Sequence, residues 1–311
     1  MSTAVSRREF LTRAAIAASA AAAWRGGAGA AFGAEKSRPP ITVFSKIYQE
    51  LKLDFEQAAA LTADAGLDGI DCPVRPGGEI LPERAADEMP RYAEALRKRK
   101  VDMLLLTTGI LGVSSPHAEA ILRAGKKLGI RYYRLGARNH KPGKAKETTI
   151  AEAKAELKDL AALNKELGVC GVFQNHSGAS FVGGDLAELH EIVKDFEPEQ
   201  IGAAFDLGHA IITHGDEWPT HFEKLRSHVK VAYVKDVSRA KQFVPFGEGE
   251  FGKSDWFKRL KQMNYAAPFS LHIEFNYAGK GNPKTRDALL QALRNSAGVL
   301  RRWVAEAWGE V

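Results

Sequence analysis

The 311-residue chain is predicted to fold as one α/β domain, a single (β/α)8 TIM barrel over residues 41–311, preceded by a short leader segment. Three observations carry this prediction. Eight short β-branched or apolar runs alternate with longer segments whose apolar residues recur at helical spacing. The runs begin about every 30 residues, the length of one strand-plus-helix unit. No Gly-x-Gly-x-x-Gly follows the first run and no break in composition divides the chain, so eight units suit a closed barrel better than a doubly wound sheet.

In order, the first strand is expected at 41–46 (Ile-Thr-Val-Phe-Ser-Lys), after a linker that ends in two prolines, with a helix over 55–65. The second strand, 69–73, precedes a helix at 89–99, and the apolar run 101–107 precedes one at 117–128. Residues 132–135 (Tyr-Tyr-Arg-Leu) and 170–174 (Cys-Gly-Val-Phe-Gln) form strands four and five, separated by a helix at 150–167 and followed by one at 186–196. Strand six, 202–206, leads to a helix at 218–227, strand seven, 229–234, to one at 256–263, and strand eight, 269–275, to the last helix at 285–308. Gly-Glu-Gly-Glu-Phe-Gly at 247–252 sits in the long loop after strand seven and has the wrong context for a dinucleotide site.

Composition excludes several classes. With 45% apolar and 26% charged residues the chain is too apolar for disorder and too polar for a multispanning membrane protein. Two cysteines, Cys72 and Cys170, 98 residues apart, build neither a disulfide scaffold nor a short zinc motif. The net charge of +6 falls to +3 once Arg7, Arg8, Arg13, Arg25 and Glu9 of the leader are set aside, an ordinary value that gives no reason to expect nucleic acid. The clusters at 97–100 and 123–127 close helices, which places them on the face of the barrel opposite an active site.

The leader has its own signature. Ser6-Arg7-Arg8-Glu9-Phe10-Leu11, an Ala-rich run at 14–24 too short to span a bilayer, and small residues to Ala34 resemble a twin-arginine export signal. Residues 1–34 are therefore expected to be signal peptide and linker, and the mature protein to be periplasmic or secreted, with no integral membrane anchor after signal removal.

The functional question is which polar residues fall at the C-terminal ends of the strands, where barrel active sites lie. Strand two runs into Asp71-Cys72-Pro73-Val74-Arg75 and, beyond two glycines, Glu79. Strand five ends in Gln174-Asn175-His176-Ser177, strand six in Asp206-Leu207-Gly208-His209, strand seven in Tyr233-Val234-Lys235-Asp236 and strand eight in His272-Ile273-Glu274. A packed barrel layer has no use for such groups, since an unpaired buried carboxylate is costly, so the rim is expected to be a binding site. For single residues a structural role competes: Asp236 suits a cap or an ion pair with Lys235, and His272 shares a face with Glu274 only if the strand is regular.

Asp-Leu-Gly-His at 206–209, Val-Lys-Asp at 234–236, Phe-Gly-Glu-Gly-Glu at 246–250 and the Glu closing strand eight resemble the xylose isomerase-like barrel family of sugar phosphate isomerases and epimerases. The resemblance covers residues 41–300, and Arg75-Pro76-Gly77-Gly78 resembles an exported subgroup. It implies a divalent metal (Mn, Mg or Zn) held by a Glu after strand five, an Asp after strand six, a His on strand seven and a Glu on strand eight. Here Asp206 and Glu274 match, whereas Gln174 stands for the first Glu and Tyr233 for the His. An amide or a phenol is a weaker donor, and the family's two glutamates also move protons, so Gln174 removes one base. His176 and His209 are candidates to complete the shell, His209 alternatively to touch substrate.

The leading expectation is an exported isomerase- or epimerase-like enzyme acting on a small-molecule carbohydrate, a sugar or keto-sugar. Glu274 is the expected base, Lys235 or His209 the acid, and Arg75, Glu79, His176 and Glu248 the substrate contacts. A lyase or hydratase on oxidised sugars and a sugar-binding barrel without catalysis are the alternatives, the second suggested by Gln174 and Tyr233. A DNA repair endonuclease of the same superfamily would need a larger His and carboxylate cluster. The loop 239–252, with Phe243, Phe246, Glu248 and Phe251, suits either a lid or a homodimer contact.

Overall fold

The computed structural model describes residues 38–309; the expected signal segment at 1–34 lies outside them. Eight parallel strands close in chain order: β1 (Ile41–Phe44), β2 (Gly69–Val74), β3 (Asp102–Thr108), β4 (Tyr132–Arg134), β5 (Cys170–Gln174), β6 (Ile201–Asp206), β7 (Val229–Val234) and β8 (Phe269–Leu271). β8 pairs back onto β1, with Val43 opposite Leu271, so the sheet has no free edge.

Among the described residues nine α-helices surround the sheet: α1 (Phe55–Asp64), α2 (Ala85–Lys98), α3 (Ala118–Leu128), α4 (Lys146–Leu167), α5 (Leu186–Val193), α6 (Leu207–His214), α7 (Trp218–Leu225), α8 (Trp256–Gln262) and α9 (Arg286–Trp308). Outward residues of the strands pack against the inner stripes of these helices in the main apolar core. The inward residues form a separate small cluster of Leu105, Cys170, Val172, Ala204, Val231 and Tyr233. Above this plug the interior turns polar.

Two features differ from the sequence expectation. β8 stops at Leu271, leaving His272 and Glu274 beyond it, because β1 turns at Ser45 into a 3-10 helix (Ser45–Leu51) and withdraws the ladder. One more bond, His272 N–H to the Val234 carbonyl at 2.9 Å, still fixes the start of that tail against β7. The helix α6 follows β6 with no loop between them, with Asp206 as its N-cap: the carboxylate accepts the His209 backbone N–H at 3.1 Å.

Asp71 shows why a strand-end carboxylate need not be catalytic. It is fully buried in the barrel, and its two oxygens accept from Thr107 Oγ1 and Ser270 Oγ, each at 2.8 Å, tying β2 to β3 and β8. Asp236 likewise anchors a loop. Its carboxylate accepts the backbone N–H groups of Val237, Gly247, Gly249 and Phe251 at 2.8–3.1 Å, folding the segment after β7 around one side chain. A Cβ at position 249 would overlap Asp236 Oδ1 and the Val237 carbonyl, which accounts for that glycine.

Candidate active site

Inward-facing positions at the ends of β4, β5, β6 and β7 and the tail after β8 converge above the apolar plug. Lys235 Nζ lies 3.0 Å from Asp206 Oδ2 and 3.9 Å from Glu274 Oε1, and it approaches His209 Nε2 at 3.2 Å. Gln174 Nε2 donates to the same Asp206 oxygen at 2.9 Å, while Gln174 Oε1 accepts from Arg134 Nη1 at 2.6 Å. His209 Nδ1 pairs with Ser177 Oγ at 2.9 Å, and the His176 ring lies 5.3 Å from that of His209 and stacks on Phe181.

Burial would raise the Asp206 carboxyl, but Lys235 and the nearby His209 and His272 outweigh it and hold Asp206 well below the usual range. Glu274, the most open of these carboxylates, is raised by burial and lowered more by His272, Lys235 and Lys46, to about 2. Burial lowers His209 to about 4 and His176 to about 3, with the neighbouring cations adding to the effect, so both rings are neutral near pH 7. A neutral His209 can then accept from Lys235 at Nε2 and donate from Nδ1 to Ser177.

The metal set implied by the family resemblance is Asp206, Glu274, Gln174 and Tyr233, and a divalent ion would need their lone pairs to converge. Asp206 instead faces an ammonium. The Gln174 amide is fixed by Arg134, which can only donate, so its oxygen is taken and its nitrogen turns to Asp206. Burial, with Asp71 close by, keeps the Tyr233 phenol protonated. Among the described residues no three His, Cys, Asp or Glu side chains gather as a metal shell. These residues, as arranged, do not fit a divalent ion: the Lys235 side chain holds the positive charge at Asp206.

The remaining candidates divide. Arg75 lies at the mouth, its guanidinium carbon 5.9 Å from the centre of the Phe44 ring. Glu79 turns behind the sheet instead, where Ser45 Oγ and the Tyr92 hydroxyl donate to it and burial raises it to about 8. Glu248 is exposed on the loop that Asp236 folds. Phe243 of that same loop reaches the mouth, with its ring 5.6 Å from His209 and 5.3 Å from Lys235 Nζ. Arg134 was not among the residues expected at the rim. Its signal was an arginine two positions from Tyr132 on the inward face of a short apolar strand, where no surface charge belongs.

Comparison with known proteins agrees with this architecture. The model of the family described as xylose isomerase-like TIM barrel matches residues 59–296. No curated protein matches significantly. An Escherichia coli 3-keto-D-glucoside 4-epimerase superimposes with TM-score 0.64 at 14% identity, covering 85% of this chain and 100% of its own. An L-ribulose 3-epimerase gives TM-score 0.65 at 15% identity, covering 88% and 96%. The IOLI protein, solved with a bound zinc atom, gives TM-score 0.63 at 16% identity, covering 86% and 99%.

Proposed function

The chain belongs to the xylose isomerase-like TIM barrel family, and from that premise we propose that it is a carbohydrate isomerase or epimerase that moves a proton next to a carbonyl without a divalent metal. The observation that carries the reading is the Asp206–Lys235–Glu274 array, a buried ammonium held between a fixed carboxylate and a more open one. The neighbouring epimerases in structure share the fold and support the class of substrate.

In this reading Asp206 fixes Lys235, whose N–H groups point to where negative charge develops on a substrate oxygen. Glu274 takes the proton from the adjacent carbon, being the least enclosed carboxylate of the mouth and the one that opens onto a groove of about 480 Å3 beside Ile47, Phe275 and Asn276. In the free protein its basicity is depressed by Lys235 and His272. Substrate that displaces water and draws the Lys235 ammonium toward its own oxygen, away from Glu274, raises that basicity toward what proton abstraction needs. His209, neutral and backed by Ser177, relays a proton to or from Lys235. The protein performs this chemistry after export, a reading that rests on Arg7-Arg8 and the Ala-rich run of the leader.

The test is proton exchange. In deuterated buffer containing a chelator, a panel of ketoses and keto-sugars should yield one that gains deuterium next to its carbonyl with the wild type and not with Glu274→Gln. Binding without exchange across the panel would instead assign a sugar-binding barrel.

A further inference from the structure

At one side of the mouth the structure brings together two guanidinium groups that have no carboxylate in direct contact. Arg134, 7% exposed, and Arg75 hold their guanidinium carbons 5.6 and 5.9 Å from the centre of the same Phe44 ring. Among the described residues no carboxylate forms an ion pair with either one, and the buried Nε of each has no hydrogen-bond partner. His272, 2% exposed and 4.7 Å from Phe44 by ring centres, sets Nδ1 3.7 Å from Glu274 Oε1 and leaves Nε2 without a hydrogen bond. Of the nearby carboxylates, Asp206 pairs with Lys235, Glu274 lies against Lys235 and His272, and Asp71, which acts on Arg75 at longer range, accepts from Thr107 and Ser270.

Two guanidinium groups around one aromatic ring repel each other, and burying their donors unsatisfied costs more. Burial, and after it Arg134, hold Arg75 below its ordinary value against the opposing pull of Asp71. An oxyanion between them would relieve both costs at once, accepting charge-assisted hydrogen bonds from two planar forks.

We propose that this face of the mouth is a carboxylate subsite, and that the carbohydrate handled by the enzyme is an acid sugar whose carboxylate is gripped by Arg75 and Arg134, with His272 as a further contact. The substrate class rests on the carbohydrate reading above; the subsite itself rests on the arginines alone. A carboxylate fits better than a phosphate for a structural reason. Barrel enzymes bind phosphate with backbone N–H groups of the loops after strands seven and eight. Here three such groups, those of Gly247, Gly249 and Phe251, already close on the Asp236 carboxylate.

The experiment is calorimetric titration of the wild type, Arg75→Met, Arg134→Met and Arg134→Lys with D-glucuronate, D-gluconate, D-glucose, D-glucose 6-phosphate and malonate, circular dichroism confirming the fold of each variant. At least one sugar acid should bind the wild type more tightly than glucose, weaken with salt, and lose about tenfold or more in affinity in each Met variant, as expected for a charged hydrogen-bonded contact. Arg75, at the open rim, keeps the test valid if Arg134→Met fails to fold. Sugar acids bound no better than glucose, or unaffected by either arginine, would overturn the subsite while leaving the carbohydrate reading standing. Glucose 6-phosphate bound more tightly through the same arginines would overturn the carboxylate assignment. Malonate bound through the arginines while no sugar binds would keep the subsite and overturn the carbohydrate reading.

Discussion

Lys235 Nζ stands 3.0 Å from Asp206 Oδ2 inside the barrel mouth, with both side chains almost wholly enclosed. The relationship joins the ends of β6 and β7 and decides the local charge. Removing one member of such a pair strands the other in a low-dielectric site, which costs about 3–5 kcal/mol. Lys235→Met should therefore destabilise the fold by that order in urea denaturation, and adding Asp206→Asn should recover much of the loss. Additive losses in the double mutant would show that the two charges are not coupled.

The same pair predicts the metal behaviour. Chelators should leave activity unchanged, and Gln174→Glu with Tyr233→His should raise Zn2+ or Mn2+ affinity by less than about tenfold, because Arg134 takes the new carboxylate and Lys235 still covers Asp206. Adding Lys235→Ala to that double mutant should be the change that raises metal affinity, read by titration with a metal indicator. A large rise before Lys235 is removed would contradict this account.

Stability against pH has two opposed limbs. His209 is lowered to about 4 from an ordinary value near 6.5, so the unfolded chain binds the extra proton and stability falls as pH drops from about 6.5 to about 4. Glu79 is raised to about 8, so the native state binds the extra proton and stability falls as pH rises from about 4.5 to about 8. Glu79→Gln should remove the second limb and stabilise the protein at pH 8 by a few kcal/mol, at about 1.4 kcal/mol per pH unit, with little effect at pH 4.5. Melting curves of both proteins across pH 4–9 check it, and parallel curves would contradict it.

The loop after β7 should depend on one carboxylate. Asp236→Ala removes the acceptor of four backbone N–H groups, so rapid hydrogen exchange and proteolytic cleavage within 237–253 are expected at a stability cost of about 2–4 kcal/mol. Gly249→Ala should give a similar opening, because its Cβ competes for the space of the same carboxylate. Unchanged exchange in both variants would dismiss the anchoring role.

For the leader, Arg7→Lys with Arg8→Lys should stop export of the chain in a twin-arginine-competent host while the purified barrel keeps its stability, measured by fractionation and melting. Undiminished export would end the signal reading.

The barrel was legible in the sequence because its signal is local and repeated: eight apolar runs at the spacing of strand-helix units, each carrying its own periodicity. The place of the candidate site was legible too, since polar residues at strand ends converge on one rim in any closed barrel. Helix α6 escaped because Asp206 serves as strand end and helix cap together, leaving no turn signal between them. Which rim residues meet was decided by the tertiary structure alone. A side chain's partner depends on barrel stagger and on neighbours far away in the chain. Only the closed barrel sets Lys235 against Asp206, turns Glu79 behind the sheet, commits Asp236 to its own loop, and brings Arg75 and Arg134, 59 positions apart, to the same phenyl ring.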